Sequence, residues 1–427
     1  MTVYPTYKDS GIEWLGQIPT HWDLLRNKIF ITEHDNVVGQ DAYKYTLLSL
    51  TKQGVIQRDI ESGKGKFPKE FDNYKIVESG NIIFCLFDVD ETPRTVGLSS
   101  IDGMITGAYN VFSIKGINSQ FYYYYFLAVD EAKALRPLYS GLRKVVKTER
   151  FAGLRIPVPP EEEQRQIVAY LDYKSNKINE RICQRERELQ TLSELKQAEI
   201  AAVVTRGLDP NVPMKESGIE WLGKIPAHWD VKRIASVSHE INDSNVTMEY
   251  LRPSQFKFGE IVLKSIIGGG EYDENIKKCT LFKKNDILIN GLNLNYDFVT
   301  QRVAKSNYDG IITPAYIVIR VKDGLSADYA MFLFKSIDNK KIFNGWGTGI
   351  RLTLSYKELK KQCIPIPPKE EQDAIVSYLQ SRITFIDNYI AKLKEEINYL
   401  QEYKQRLISD VVTGKVDVRG VEIPNEE

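Results

Sequence analysis

Hydrophobic residues divide the chain into two halves of similar pattern, each with short apolar runs followed by one long amphipathic stretch. Short apolar runs bounded by Gly, Asn or Asp are typical of buried strands. They occur at Ile82–Phe87 and Tyr109–Ile114 in the first half, and at Ile287–Ile289 and Tyr316–Val321 in the second. We therefore expect a β-sheet with equivalent strands in each half.

An aromatic-rich segment follows these strands in each half. Phe121–Leu127 continues into Glu131–Leu135, and Tyr329–Phe334 is its counterpart. These segments predict a helix that covers the sheet. Each half therefore contains a segment of mixed α and β structure, which puts the protein in the α+β class.

A long stretch without internal Pro or Gly closes each half, from residue 161 to about 205 and from 370 to about 413. In the second stretch, apolar residues step by three and four positions, as in the seam of a coiled coil. The first stretch has the same stripe in a weaker form, because Ser175, Arg185 and Glu199 interrupt it. A helix of roughly 45 residues reaches about 70 Å, which is too long for one small domain to pack.

We expect the two long helices to pair with each other as an antiparallel coiled coil that holds the two mixed segments at opposite ends of a rod. The alternative is an ordinary core stripe that packs on its own domain. The predicted contact residues are Ile178, Ile182, Leu189, Leu192, Ile386, Ile390, Leu393, Ile397 and Leu400.

Two sequence motifs occur twice, about 207 positions apart. Lys8–Asp23 returns as Lys215–Asp230, and Ile156–Gln164 returns as Ile364–Gln372, whereas the segments between them match weakly. This period is too long for a solenoid, so we interpret the chain as a duplicated domain pair with an internal two-fold repeat. The predicted divisions are a mixed domain over 1–160, a helix over 161–206, a second mixed domain over 207–368, a second helix over 369–413 and a tail over 414–427.

The charge of the chain is informative only locally. The 57 basic and 57 acidic residues cancel, so there is no long-range attraction to nucleic acid or membrane. However, seven basic residues between Lys133 and Arg155 accompany a single acidic residue, and six between Lys340 and Lys361 do likewise. One such run is most simply a solvated loop, but two at equivalent places favour nucleic-acid binding.

Each basic run contains a Gly followed by an Arg, in Ser140–Arg143 and Thr348–Arg351. Exposed backbone N–H groups and a guanidinium there could meet a phosphate or a guanine edge. Two segments before strands, around Arg94 and Arg302, are weaker candidates, because an edge-strand turn explains them equally well. The predicted DNA-binding residues are Arg143, Lys144, Lys147, Arg94, Arg351, Lys357, Arg302 and Asn290, the last in an amide-rich segment that could read adenine.

Sequence signatures of an enzyme or a metal site are missing. We find no phosphate-binding loop, G-x-G-x-x-G, G-x-S-x-G or Asn-Pro-Pro-aromatic motif. His21 and His228 stand beside Trp residues inside the repeated motif, where packing is the favoured role. The four cysteines lack metal-ligand spacing and are interpreted as buried small hydrophobic residues. Without a leader or a run of about 18 apolar residues, we expect a cytoplasmic protein.

These repeated motifs closely resemble those of the specificity subunit of Type I restriction-modification enzymes. The resemblance rests on Ser10–Trp22 and Ser217–Trp229, and on the Ile-Pro-x-Pro-Pro-x-Glu-Glu-Gln elements that open both helices. It covers essentially the whole chain. The family implies that each mixed domain is a target recognition domain for one half of a split DNA sequence, and that the helices set the spacing.

The resemblance also implies partners and cofactors. The helices would dock two modification subunits, which bring S-adenosylmethionine and adenine methylation, and two restriction subunits would bring ATP and Mg. The chain itself would bind double-stranded DNA, hold no cofactor or metal, not associate with membranes and not be catalytic.

Three other interpretations remain open from the sequence. The first is a coiled-coil scaffold that does not bind DNA, which the paired basic loops disfavour. The second is an enzyme with its own recognition domains, for which no residues remain to build a catalytic domain. The third is a complex with modification subunits only, which methylates and does not cleave.

Overall fold

The chain folds into two compact units in this computed structural model, which describes residues 2–58, 71–140, 144–257, 259–264, 273–295 and 301–424. The first unit comprises Met1–Arg185 together with Glu395–Glu427. The second comprises Glu186–Lys394. Each unit therefore contains part of both long helices.

The first unit is built around a four-stranded antiparallel sheet. Its described strands are β1 (Tyr7–Asp9), β2 (Gln17–Pro19), β3 (Asp23–Arg26), β4 (Ile31–His34), β5 (Leu48–Thr51), β6 (Gly54–Gln57), β7 (Lys75–Val77), β8 (Ile82–Phe84), β9 (Val96–Leu98), β10 (Gly103–Ile105), β11 (Asn110–Ile114), β12 (Tyr139–Ser140), β13 (Val145–Val146) and β14 (Arg155–Val158). Its helices are α1 (Ser119–Glu131), α2 (Thr148–Gly153) and the first part of α3 (Glu161–Arg206), with 3₁₀ helices at Asn27–Ile29, Gly39–Lys44 and Arg136–Leu138. The sheet order is β4-β11-β8-β9, and the antiparallel pairs are β1-β2, β3-β14, β5-β6, β7-β10 and β12-β13.

Helix α1 covers this sheet, as the aromatic segment predicts. The Asn118 side chain starts the helix by accepting hydrogen bonds from the backbone N–H groups of Gln120 and Phe121. Phe126 of α1 then packs against Phe84 of β8, with ring centroids 5.1 Å apart. The main core of the unit therefore lies between α1 and the sheet.

The second unit repeats this arrangement. Its described strands are β15 (Met214–Glu216), β16 (Lys224–Pro226), β17 (Asp230–Arg233), β18 (Ser238–Glu240), β19 (Pro253–Lys257), β20 (Glu260–Leu263), β21 (Thr280–Phe282), β22 (Ile287–Ile289), β23 (Val303–Lys305), β24 (Gly310–Ile312), β25 (Ile317–Val321) and β26 (Cys363–Ile366). Its helices are α4 (Ile234–Val237), α5 (Asp273–Lys277), α6 (Ala327–Asn339), α7 (Ile342–Trp346), α8 (Tyr356–Leu359) and the first part of α9 (Lys369–Val412), together with the end of α3. The sheets are β18-β25-β22-β23 and β20-β19-β24-β21, and the pairs are β15-β16 and β17-β26.

The two units confirm the predicted α+β class and the internal repeat. Order β18-β25-β22-β23 corresponds to β4-β11-β8-β9, and α6 covers it as α1 covers the first sheet. The parts of the two units that lie between the repeated motifs differ, as their weak sequence match indicates. The second unit has a continuous sheet with a parallel β19-β24 pair. In the described part of the first unit, β5-β6 and β7-β10 are separate pairs, connected by a bridge between Leu47 and Met104.

The repeated motif fastens the start of α3 to the first unit. Trp22 is fully buried, and its indole N–H donates to Glu163 at 2.9 Å. His21 Nε2 lies 2.7 Å from the other carboxylate oxygen of Glu163. Gln164 donates to the carbonyl of Pro159, so the Pro-Pro-x-Glu-Glu-Gln sequence both ends the strand and anchors the helix.

The second unit makes the same contacts at the start of α9. Trp229 is fully buried and donates to Glu371 at 2.9 Å, and His228 Nε2 lies 2.8 Å from the same carboxylate. Gln372 donates to the carbonyl of Pro367. Both motif histidines are exposed rather than packed in the core, and each contacts the glutamate that also binds the tryptophan.

The long helices run antiparallel within the first unit. Arg185 of α3 forms an ion pair with Glu396 of α9 at 3.0 Å. Asn179, earlier in α3, accepts a hydrogen bond from Lys404, later in α9. Because contacts move forward along one helix as they move back along the other, the helices are antiparallel.

The same direction holds in the second unit. Glu199 of α3 pairs with Arg382 of α9 at 3.0 Å, and Lys196 pairs with Asp387 at 2.6 Å. The charged residues that interrupt the first stripe, Glu199 here and Arg185 in the first unit, are therefore matched by opposite charges on the other helix. The predicted antiparallel coiled coil is thus confirmed within each unit.

The predicted contact residues of the coiled coil all lose exposure to solvent. Ile178, Ile386, Leu393 and Ile397 are buried, and Ile182, Leu189, Leu192, Ile390 and Leu400 are partly buried.

The prediction that all four cysteines are buried is wrong. Cys85 and Cys279 are buried, but Cys183 is exposed and Cys363 is partly buried. Cys183 follows Ile182, a residue on the seam side of α3, and successive residues of a helix point about 100° apart. Its side chain therefore faces away from the seam.

We predict that Lys404→Leu stabilises the first unit. Lys404 occupies a seam position, and burial lowers the pKa of its ammonium group. Leu fills a seam without a charge to desolvate, so the free energy of unfolding should rise by about 1–2 kcal/mol. Urea unfolding followed by circular dichroism measures this. The exposed neighbour Gln405 provides the control, and an equal gain from Gln405→Leu would refute the role of the seam.

Candidate nucleic-acid interface

A tight hairpin carries Arg351 in the second unit. Thr348 and Thr353 exchange two backbone hydrogen bonds of 3.0 and 2.9 Å, and the N–H of Leu352 donates to the carbonyl of Gly349. Gly349 has φ of +78°, a conformation that favours glycine. The predicted Gly-turn is therefore present, and Arg351 is exposed at its tip.

The amide-rich segment Asn290–Asn295 lies against this hairpin. It follows β22, and its Leu294 N–H donates to the carbonyl of Leu352 at 2.9 Å. In return, the N–H of Leu354 donates to the carbonyl of Gly291 at 2.8 Å. A Cβ at Gly291 would lie 2.2 Å from the Leu354 carbonyl oxygen, so only glycine permits this approach. Two of the predicted candidates, Arg351 and Asn290, thus belong to one continuous surface.

Arg302 supports the segment Asn290–Asn295 from the protein side. Arg302 is only 2% exposed. Its guanidinium donates to the carbonyls of Asn290, Leu292 and Asn293 at 3.2, 2.6 and 3.1 Å. Arg302 was predicted to bind DNA, but its side chain is buried and its donors hold this loop, so it supports the surface from beneath.

Asn290 also shapes this loop. Its side-chain oxygen accepts a hydrogen bond from the N–H of Leu292 at 3.1 Å, which is an Asx turn. The residue is partly buried, whereas Asn293 is exposed with φ of +49°. The amide best presented to a ligand in this segment is therefore that of Asn293, which sequence reasoning did not single out.

The equivalent loop of the first unit has a different chemistry. It follows β8 and is joined to the other predicted basic segment, since the N–H of Asp88 donates to the carbonyl of Lys144 and that of Val146 donates to Leu86. The Lys144 ammonium lies 2.6 Å from Glu91 and 3.4 Å from Asp90. This loop is therefore acidic where the loop of the second unit is rich in amides.

Asp90 is held as a carboxylate by its neighbours. The Tyr139 hydroxyl donates to it and, together with Lys144, lowers the pKa of this carboxyl below its usual value. Lys144 thus lies at the predicted surface, but its charge is shared with two carboxylates.

The remaining candidates occupy varied places. Arg94 is partly buried, with its Nε 4.0 Å from Asp130. Lys147 is exposed immediately before α2, and Lys357 is exposed on α8. Arg143 lies outside the described residues.

Two buried aspartates beneath these loops were missed by sequence reasoning. Asp130 at the end of α1 accepts the N–H of Thr95 at 2.9 Å, and Asp338 of α6 accepts the N–H of Arg302 at 2.8 Å. Each fixes the strand that follows its loop. The available signal was an acidic residue at the same place in both copies, on a helix otherwise rich in apolar residues.

The surface has the chemistry of groove contacts. An exposed guanidinium and an exposed amide lie on loops whose backbones are fixed by hydrogen bonds, and these groups are suited to guanine and adenine edges. Among the described residues, no three His, Cys, Asp or Glu side chains are placed to hold a metal ion. None of the described helices is both long and apolar enough to cross a membrane.

A protein-family model, the Type I restriction modification DNA specificity domain, matches residues 39–189 and 229–399. The chain belongs to this family. The two matched regions are two DNA specificity domains, and the prediction made from the repeated motifs is confirmed. Members of the family are DNA-recognition subunits and are not catalytic.

Relatives from Methanocaldococcus jannaschii carry corresponding names. The specificity subunit of the type I restriction enzyme MjaX is 21% identical over 435 residues, which cover 95% of this chain and 96% of the relative. The specificity subunit of MjaVIII is 26% identical over 302 residues, or 64% of each chain. A solved structure from a study of complex assembly in a type I restriction-modification system has a TM-score of 0.64 at 16% identity, covering 93% of this chain and 99% of its own. This last similarity supports the fold.

We predict that Arg302→Met loosens the loop Asn290–Asn295. The carbonyls of Asn290, Leu292 and Asn293 lose their donor, which should lower the free energy of unfolding by about 1–3 kcal/mol. Hydrogen exchange should become faster at the amides of Leu292, Leu294 and Leu354. The exposed Arg252, which donates to the carbonyl of Lys264 in the same unit, is the matched control. Equal protection in wild type and Arg302→Met would rule out the supporting role.

Proposed function

We propose that each DNA specificity domain of this chain binds one half of a bipartite DNA target. The observation that supports this proposal is the surface of the second unit. There, backbone hydrogen bonds join the hairpin that carries the exposed Arg351 to the loop Asn290–Asn295. The first unit builds its own surface at the equivalent place from Lys144, Asp90 and Glu91. Different chemistry on equivalent scaffolds is what two different half-sites require.

The long helices set the spacing between the half-sites in this proposal. Half-sites read from one side of a duplex are separated by whole helical turns of roughly 34–36 Å. A spacer must keep its length and register to select such a separation. The cross-helix pairs Arg185–Glu396 and Lys196–Asp387 support this role, because a register shift would separate opposite charges.

We further propose that α9 docks the modification subunits. Tyr378, Phe385 and Tyr389 are exposed large side chains on the part of α9 that belongs to the second unit. Their spacings of seven and four residues put them on one face of the helix. Tyr378 and Tyr389 donate their hydroxyls to Glu199 and Glu188 of α3, which leaves Phe385 as the apolar centre of this face.

An aromatic face suits a protein partner better than DNA. Aromatic residues are enriched at protein interfaces, whereas DNA contacts need basic residues. The modification subunit is the partner that the family offers to a helical spacer, and a complex of two such subunits would methylate both strands. S-adenosylmethionine would be bound by these subunits, and ATP and Mg by two restriction subunits. The complex would act in the cytoplasm, where the double-stranded DNA lies.

Methylome mapping tests this proposal and, in the same experiment, the role of Arg351 in reading the second half-site. Methylated adenines are mapped in the source strain, in a strain without this gene, and in one carrying Arg351→Ala. We expect the deletion to abolish methylation at one split motif of two defined blocks. The Arg351→Ala strain should keep the first block and relax or lose the second, since Arg351 belongs to the second unit.

A normal methylome without the gene contradicts the proposed function. Equal loss of both blocks in the Arg351→Ala strain contradicts base reading by this hairpin.

We predict that Phe385→Ser weakens docking of the modification subunit. Phe385 is 65% exposed, and truncation of a central aromatic contact should weaken binding roughly tenfold or more. Calorimetric titration with the purified modification subunit measures the affinity. Val246→Ser, at a residue 69% exposed in the same unit, is the control. If both variants bind like wild type, docking does not involve this face of α9.

A further inference from the structure

The tip of the Arg351 hairpin places an aliphatic side chain in solvent. Leu352 donates its N–H to the carbonyl of Gly349, so Ile350 and Arg351 occupy the two central positions of a β-turn. Such positions normally hold Gly, Pro, Asn, Asp or Ser. Ile350 is 98% exposed and therefore keeps nearly all its apolar surface in water.

Exposure alone does not distinguish Ile350, because single exposed aliphatic residues are common on protein surfaces. What distinguishes it is its position on a turn whose backbone is held in place. The turn is closed by the paired Thr348 and Thr353 and is pinned to the loop Asn290–Asn295 by the bond between Leu294 and Leu352. The side chain is thus presented by a fixed backbone, which reduces the entropy lost on binding.

The neighbours of Ile350 indicate the occupant. An exposed guanidinium follows it in the chain, and the exposed amide of Asn293 lies on the adjoining loop. Charged and amide groups can contact phosphates or base edges, whereas an aliphatic group gains only from apolar parts of DNA. Within the grooves these are the thymine methyl groups and the faces of unstacked bases. The sequence Gly-aliphatic-Arg also occurs in the first half as Gly141–Arg143, so the order is part of the repeat.

We infer that Ile350 is an apolar base contact of the second DNA specificity domain. This inference rests on the proposed function, because it requires the hairpin to enter a groove of the target. The contact is either with the methyl group of a thymine or with the ring face at a partly unstacked base step. In both cases Ile350 contributes sequence-dependent affinity that is insensitive to salt, and Arg351 contributes the part that salt weakens.

The test uses the full chain in its purified complex with the modification subunit. Fluorescence anisotropy measures binding to a duplex with the mapped motif and to a random duplex, over a series of KCl concentrations. We expect Ile350→Ser to bind the motif roughly tenfold more weakly, with an unchanged salt slope and unchanged binding to the random duplex. Ile350→Met should recover most of the affinity, and Arg351→Ala should reduce the salt slope by about one.

Substituted duplexes separate the two forms of contact. If uracil in place of one thymine weakens wild type but not Ile350→Ser, the contact is with that thymine methyl. If no uracil does so, 2-aminopurine at a step of the second block should become brighter with wild type and not with Ile350→Ser. Either result supports an apolar base contact.

The inference is overturned if Ile350→Ser binds the motif like wild type, or loses equal affinity for both duplexes. Ile29→Ser, at an exposed aliphatic residue of the first unit, controls for the effect of replacing any exposed aliphatic side chain by serine. A wild-type complex that does not prefer the motif duplex would instead overturn the proposed function, and this inference with it.

Discussion

The contact between a buried tryptophan, a glutamate and a glycine is the constraint on which each unit depends. In the first unit, Trp22 donates to Glu163 at the start of α3. It also contacts the segment after α9, since a Cβ at Gly414 would lie 3.2 Å from the indole and 2.3 Å from Pro19. One indole therefore fixes the beginning of one long helix and the end of the other.

The second unit uses Trp229 in the same way. It binds Glu371 at the start of α9, and a Cβ at Gly207, just after α3, would lie 2.8 Å from the Glu371 carboxylate and 3.3 Å from the indole. Both glycines have positive φ, +78° at Gly207 and +76° at Gly414, a conformation that ends each helix. The antiparallel direction of the helices within each unit follows from these two junctions, and the cross-helix ion pairs then set the register.

Sequence reasoning recovered the scaffold because its signals are local or repeated. The apolar stripe of α9, the aromatic segment of α1 and the Pro-Pro-x-Glu-Glu-Gln motif each act within a few residues of the chain. The partners of Arg185 and Glu199 could not be predicted, because they depend on which residues of the other helix lie opposite. For this reason charged residues that seemed to weaken the first stripe are part of the pairing.

The candidate surface was predicted less well. Gly349, Arg351 and the amide-rich segment could be named as candidates from the sequence, and the structure brings them together. The roles of the candidates could not be predicted, because burial is a tertiary property: an arginine before a strand can face solvent, or can lie beneath a loop as Arg302 does. Asp338 was not predicted for the same reason. It accepts a hydrogen bond from the backbone N–H of Arg302, which is distant in the sequence.

The close approach of Gly291 to the Leu354 carbonyl has a consequence for how such a domain can change during evolution. The loop and the hairpin share two backbone hydrogen bonds and have no space between them for a side chain. A substitution that lengthens or reshapes one must be accompanied by a matching change in the other. Variation in target preference should therefore arise by exchange of the two segments together, and natural variants should show correlated changes across 290–295 and 348–354.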